Sequence, residues 1–294
     1  MAELASGEGE ARIAAVNRRA AESIALVLAS ESIPHRVANE DGRFSIRLDP
    51  ADLARAEAAL VSYARENAPE PAPPFEPEPA VDTRAGIWLA VALVAGFAVT
   101  GGWDEASPVF ARADNEARAL LAGEWWRPIT ALTLHADVAH VLGNAFSCAV
   151  FASLLMRRYG AGVGLVLLLV SGSLGNALAA SWHDAHYHSV GASTALFGAI
   201  GVLASTELVR RRRLRIRWGQ SWLPIAGGLG LLAMLGTGRG SDQTAHVFGL
   251  AAGLAAGAWA ARMFPRPVAP LAQLGFGAAA LAAVALAWSA ALAS

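Results

Sequence analysis

The sequence predicts a mainly α-helical, polytopic membrane helix bundle preceded by a small soluble α+β module. Three observations carry this prediction. Charged residues make up only 16% of the 294, against about a quarter in soluble domains, and mean hydropathy is +0.41. The charges crowd into the first 85 residues and a few later loops, so the polar part of the chain is regional. From Gly86 onward, apolar runs recur at 86–102, 138–156, 161–182, 190–206, 221–237, 244–263 and 270–292. A helix crossing a bilayer needs about 20 apolar residues, with about 17 as the lower limit.

Residues 1–67 read as the soluble module. A strand over ARIAAV leads to a helix over AAESIALVLASES, and PHRVANE and RFSIRLD flank the turn signal Asp41-Gly42. Asp49 is placed to cap a second helix, ADLARAEAALVSYAREN, with Pro50 at its first position. This β-α-β-β-α order resembles small prokaryotic signal-transducing domains of the DUF2007 type, which brings no catalytic motif. Residues 68–83, rich in proline and glutamate, read as a stiff linker with no core of its own. The net charge of −1 gives no sign of a nucleic-acid partner. Cys148, the single cysteine, excludes an intramolecular disulfide and reads as a packed thiol. The N-terminus lacks the basic-then-apolar pattern of a signal peptide.

Arginine placement sets the expected orientation. Arg157 and Arg158 follow the second run, Arg210 to Arg213 with Arg215 and Arg217 follow the fourth, and Arg262 and Arg266 follow the sixth. The alternate loops hold Arg239 alone. Positive loops stay cytoplasmic, which places the N-terminal module in the cytoplasm and the chain in the cell's inner membrane. The mixed segment WDEASPVFARADNEARALLAGEWWRP is expected to lie in the membrane surface, with Trp125 and Trp126 as interfacial anchors.

Runs two, four and six descend in the same direction, and each carries unusual polar groups near its outer end: His140 and Asn144, Ser193, and His246. Equal sequence depth then means equal membrane depth, and His140 and Asn144 share one helix face. Polar and ionisable groups inside a bilayer are costly and mark functional sites. A serine hydroxyl is a weak nucleophile until a base accepts its proton, and His246 is the candidate base. His140, Asn144 and the Ser193 backbone N–H are candidate donors to a tetrahedral oxyanion. Runs two to six hold no carboxylate apart from Glu207 at an inner end, so the expectation is a Ser–His dyad. Gly191 is expected to turn the loop into run four, and Phe197 to pack flat against the imidazole. Gly249 and Gly253 are expected to face Ala195 and Ala199 and let the two helices approach closely. His183, His186 and His188 match no zinc spacing, so no metal or other cofactor is expected.

The His140–Asn144 spacing, GASTALFG around Ser193, AHVFGLAAG from Ala245 and Trp126-Arg127 together resemble the rhomboid family of intramembrane serine proteases. That resemblance covers residues 86 to about 263. It implies a six-helix core over 84–263 with a cavity open to the outer side, and an added seventh span over 264–294. It also implies that Ser193 and His246 are catalytic, that His140 and Asn144 stabilise the oxyanion, and that single-span membrane proteins in the surrounding lipid bilayer are the substrates. The chain departs from the family at Thr194, where most members carry glycine. That residue leaves a second expectation open, a non-catalytic rhomboid-like protein that binds membrane clients.

Overall fold

The computed structural model describes residues 9–40, 42–67, 84–104, 106–214, 226–227, 229–230 and 242–294. The linker 68–83, Asp41, Arg215, Arg217, Arg239 and nearly all of the fifth apolar run lie outside the described residues. The chain divides into two compact units, residues 1–73 and 74–294.

The first unit holds β1 (Ala11–Ala15), α1 (Arg18–Ser30), β2 (His35–Glu40), β3 (Arg43–Leu48), a 3-10 turn (Pro50–Asp52) and α2 (Leu53–Glu66). β3 lies between β1 and β2, antiparallel to both, with Ile13, Ile46 and Val37 in one row. Alternation puts Ala11, Ile13, Ile46 and Leu48 on the face that packs against Ala21, Leu28 and Ala56 of the helices. Asn17 caps α1 through the amide of Ala20, and Asp49 caps the 3-10 turn through Ala51. Gly42 takes a φ of 81° in the hairpin, a conformation that costs glycine nothing.

The second unit opens with α3 (Ala85–Thr100), followed by three short helices, α4 (Pro108–Ala113), α5 (Ala117–Leu121) and α6 (Arg127–Thr130). α7 (Val138–Ser147) runs through a π-helical turn, Cys148–Ala152, into α8 (Ser153–Tyr159). α9 (Ala161–Trp182), α10 (Ser193–Arg213), α11 (Gln243–Met263) and α12 (Pro270–Ala293) complete the described helices. The α7–α8 helix, α9, α11 and α12 are long and apolar enough to cross a membrane, and α3 is a shorter apolar helix. α10 is 21 residues long and ends in Arg210–Arg213. The protein is a mainly helical, multi-pass membrane protein.

Small residues set how closely the central helices lie. A Cβ on Gly249 of α11 would stand 3.0 Å from Thr194 Cγ2, and one on Gly253 would stand 2.8 Å from the Cα of Gly198. The α10 residues meeting this glycine face are therefore Thr194 and Gly198, one position before the expected Ala195 and Ala199. Ala195 turns instead to Gly172 of α9. The shift arises because α10 packs between two helices at once and divides its small residues between them. The π turn lies where α7–α8 passes α3: Cys148 Sγ reaches Gly86 O at 3.7 Å, and a side chain on Gly86 would collide with Ser153.

The segment between α3 and α7 is folded more deeply than a surface anchor. Arg127 is 3% exposed and donates to Asp114 Oδ1 at 2.7 Å, Glu124 Oε2 at 2.7 Å and Ala111 O at 2.8 Å. A guanidinium satisfied on several sides can be buried where an unpaired charge cannot. Trp125 is exposed as an interfacial anchor would be, but Trp126 donates to Arg112 O at 3.0 Å and packs beside Phe110 and Leu134.

Candidate active site

α10 starts at Ser193 and α11 starts just before His246, so both side chains sit in first turns at the same end of the bundle. His246 Nε2 lies 2.8 Å from Ser193 Oγ. The imidazole is 4% exposed and packs against Phe197, with ring centroids 4.5 Å apart and planes at 37°. The rings are tilted rather than flat, the geometry left when the imidazole edge is turned toward the serine.

His140 and Asn144 reach the same place from α7. His140 Nδ1 accepts from Ala136 N at 3.4 Å, which leaves the proton on Nε2 and makes that atom a donor. The buried Asn144 Nδ2 has no hydrogen-bond partner among the described residues. Both converge on Gly191, where a Cβ would stand 2.7 Å from His140 Nε2 and 3.4 Å from Asn144 Nδ2. Gly191 has a φ of 125° and donates its N–H to Ala131 O at 2.9 Å. Only glycine satisfies both the backbone and the space here. The amide of Ser193 opens α10 and belongs to the first-turn N–H groups that helix geometry leaves without an intrahelical partner.

Ser193, His246, His140, Asn144 and Phe197 line a cavity of about 1210 Å³ that reaches the surface beside the exposed Trp103 and His186. Thr194 does not line it. Its side chain is 3% exposed, and its Cγ2 would stand 2.7 Å from a Cβ on Gly175. The methyl therefore fills the space that Gly175 of α9 and Gly249 of α11 leave open.

Two residues that the sequence reading passed over hold the histidines in place. Asp137 caps α7 by accepting from His140 N at 2.8 Å, and Asp242 caps α11 by accepting from Ala245 N at 2.9 Å. An Asp just ahead of an apolar run is a cap signal, and it stands in the sequence at both places. Of the loop histidines, His183 stacks on Tyr187, and His188 Nδ1 lies 2.8 Å from Asp114 Oδ2. Asp114, Glu116 and His188 can bring one ligand atom each to within 4.8 Å of one another, but the Arg127 guanidinium already bridges the two carboxylates.

Fold and site together define a multi-pass helical membrane protein with a serine and a histidine hydrogen-bonded in the lining of a cavity between its helices. Residues 122–263 match the Rhomboid domain, which assigns that part of the chain to the rhomboid family. It is 30% identical over 163 residues to the rhomboid protease GluP of Bacillus subtilis (strain 168), a match covering 54% of this chain and 31% of that protein. It is 33% identical over 131 residues to the putative rhomboid protease YdcA of the same organism, covering 45% and 65%. It is 31% identical over 137 residues to rhomboid-like protease 1 of Toxoplasma gondii, covering 46% and 47%. In each case the matched part is less than two thirds of the relative's length.

Proposed function

We propose that the protein is an intramembrane serine endopeptidase that cleaves transmembrane or juxtamembrane segments of single-span membrane proteins. The observation that carries the reading is the 2.8 Å contact between His246 Nε2 and Ser193 Oγ, within the reach a general base requires. In this mechanism the Ser193 hydroxyl gives its proton to His246 as Oγ attacks the scissile carbonyl carbon. The carbonyl oxygen, now negative, is received by His140 Nε2–H, Asn144 Nδ2–H and the Ser193 N–H. His246 then protonates the leaving amine, and water from the cavity attacks the acyl-enzyme with His246 again as base. Ser193 and His246 are the catalytic pair, His140 and Asn144 stabilise charge, and no cofactor takes part.

The client-binding alternative drew its support from Thr194, which fills a gap between helices rather than crowding the serine. The arginine pattern supports an inner-membrane location with the N-terminal unit in the cytoplasm. The test is reconstitution of the full chain with several single-span substrates. Cleavage and fluorophosphonate labelling of Ser193 are expected in the wild type and absent in Ser193→Ala and His246→Ala. His140→Ala and Asn144→Ala should each lower kcat by about 10²–10³ while keeping some labelling. A folded wild-type protein that neither labels nor cleaves would sink the protease reading and favour the client-binding one.

A further inference from the structure

The glycine contacts between α10 and α11 set how close the helices come, but backbone packing of this kind is non-directional and leaves height and rotation loosely defined. Directional bonds are needed for those two degrees of freedom. One such bond lies immediately upstream of the dyad. The Tyr187 hydroxyl donates to Asp242 Oδ2. Tyr187 lies in the loop that leads into Ser193, and Asp242 lies one turn before His246.

Asp242 divides its groups among three partners. Oδ1 accepts from Ala245 N at 2.9 Å, the backbone carbonyl accepts from His246 N at 3.1 Å, and Oδ2 is left for the phenol. Tyr187 is in turn held from the other side. Its carbonyl accepts from Ala117 N at 3.0 Å, and its ring stacks on His183 with centroids 4.5 Å apart and planes at 6°. Farther along the same loop, Ser189 O accepts from Asn115 N at 3.0 Å, and Gly191 N donates to Ala131 O at 2.9 Å. The approach to Ser193 is thus tied to the folded segment between α3 and α7. Burial and the neighbouring Asp242 carboxylate push the Tyr187 phenol above its ordinary value, so the hydroxyl stays protonated and donates.

We propose that Tyr187 and Asp242 are positioning residues for the dyad. Their hydrogen bond carries the fixed frame of the Ser193 loop across to α11 and sets the height and rotation at which His246 meets the serine. This inference rests on the protease reading above. Neither residue touches the scissile bond in this scheme.

The test uses the full chain in detergent with Tyr187→Phe, Asp242→Ser and the double variant. Phenylalanine keeps the ring and its stacking on His183, and serine still caps α11 but is too short to reach the phenol. Each single variant should lower both the fluorophosphonate labelling rate of Ser193 and kcat by roughly 10–100-fold, with KM unchanged, as misplacement of a catalytic group does. The double variant should be no worse than the poorer single one, because both remove the same bond. Labelling at the wild-type rate, additive losses, or a raised KM with kcat intact would each overturn the proposal. If Asp242→Ser fails to fold, Tyr187→Phe alone decides it. A wild type that never labels removes the protease reading, whereas a labelling wild type with unaffected variants removes only the clamp.

Discussion

At the residue scale, Thr194 changes meaning between sequence and structure. Beside the proposed nucleophile in sequence, it reads as a departure from the glycine that most of the family carries there. In the fold its methyl occupies the notch between Gly175 and Gly249, so it belongs to helix packing. Thr194→Gly should therefore lower stability by about 1–3 kcal/mol, from the lost buried methyl and the poorer helix propensity. A clear drop in melting temperature, with Ser193 labelling kept, is the expected result. Gly191 is the opposite case, since its φ of 125° and the nearby His140 ring forbid a side chain. Gly191→Ala should cut kcat/KM by roughly 10²-fold by pushing His140 from the oxyanion position, measured on a single-span substrate. His135, fully buried edge-on to His140, is lowered to about 4 by burial. A histidine held neutral in the fold and free to protonate when unfolded contributes its full stability above its unfolded value of about 6.5. That contribution is lost progressively as pH falls toward 4. Melting temperature in detergent should drop across this window, and His135→Leu should flatten the drop.

At the element scale, α12 is held to the core by one side chain near each end. Gln273 Oε1 accepts from Gly162 N at 2.8 Å and Val163 N at 3.1 Å, while its Nε2 donates to Tyr159 O at 2.7 Å. It thereby satisfies the N-terminal amides of α9 and a carbonyl at the end of α8. Near the other end of α12, Trp288 donates to Thr133 Oγ1 at 3.1 Å and packs beside Phe110 and Leu134. Gln273→Leu removes these three hydrogen bonds and should cost about 1–3 kcal/mol, visible as a lower melting temperature in detergent. The seventh apolar run is obvious in the sequence, but its docking is not. A glutamine near the start of a hydrophobic helix carries no sign of which turn it will fill.

At the scale of the whole molecule, the arginine pattern and the seven apolar runs predict that the two chain ends lie on opposite sides of the membrane. Reporter fusions at position 68 and at Ser294 should report cytoplasm and exterior respectively. Both reporters on one side would remove a span from the topology. The first unit has its own core, and the proposed mechanism uses none of its residues. A chain beginning at Asp82 should still cleave a single-span substrate in detergent at a rate close to that of the full chain. Loss of cleavage with a folded membrane unit would make the first unit part of the enzyme.

Hydropathy and charge by themselves determined the membrane-embedded class, the positions of the long described helices and the β-α-β-β-α order of the first unit, because each depends on local pattern and on transfer between water and lipid. Depth along parallel runs also singled out Ser193, His246, His140 and Asn144, since helices of like direction keep level residues level. Tertiary structure alone decided the phase of α10 against α11, the inward turn of Thr194, the burial of Arg127, the packing of Trp126 beside Phe110, and the Tyr187–Asp242 bond. Those features depend on how helices rotate about their axes and on which distant loops meet. How closely the helices lie is settled by the fit of small residues against backbones, a three-body matter among α9, α10 and α11. Their height and rotation are settled by bonds between loops far apart in sequence, and no single helix's sequence encodes either.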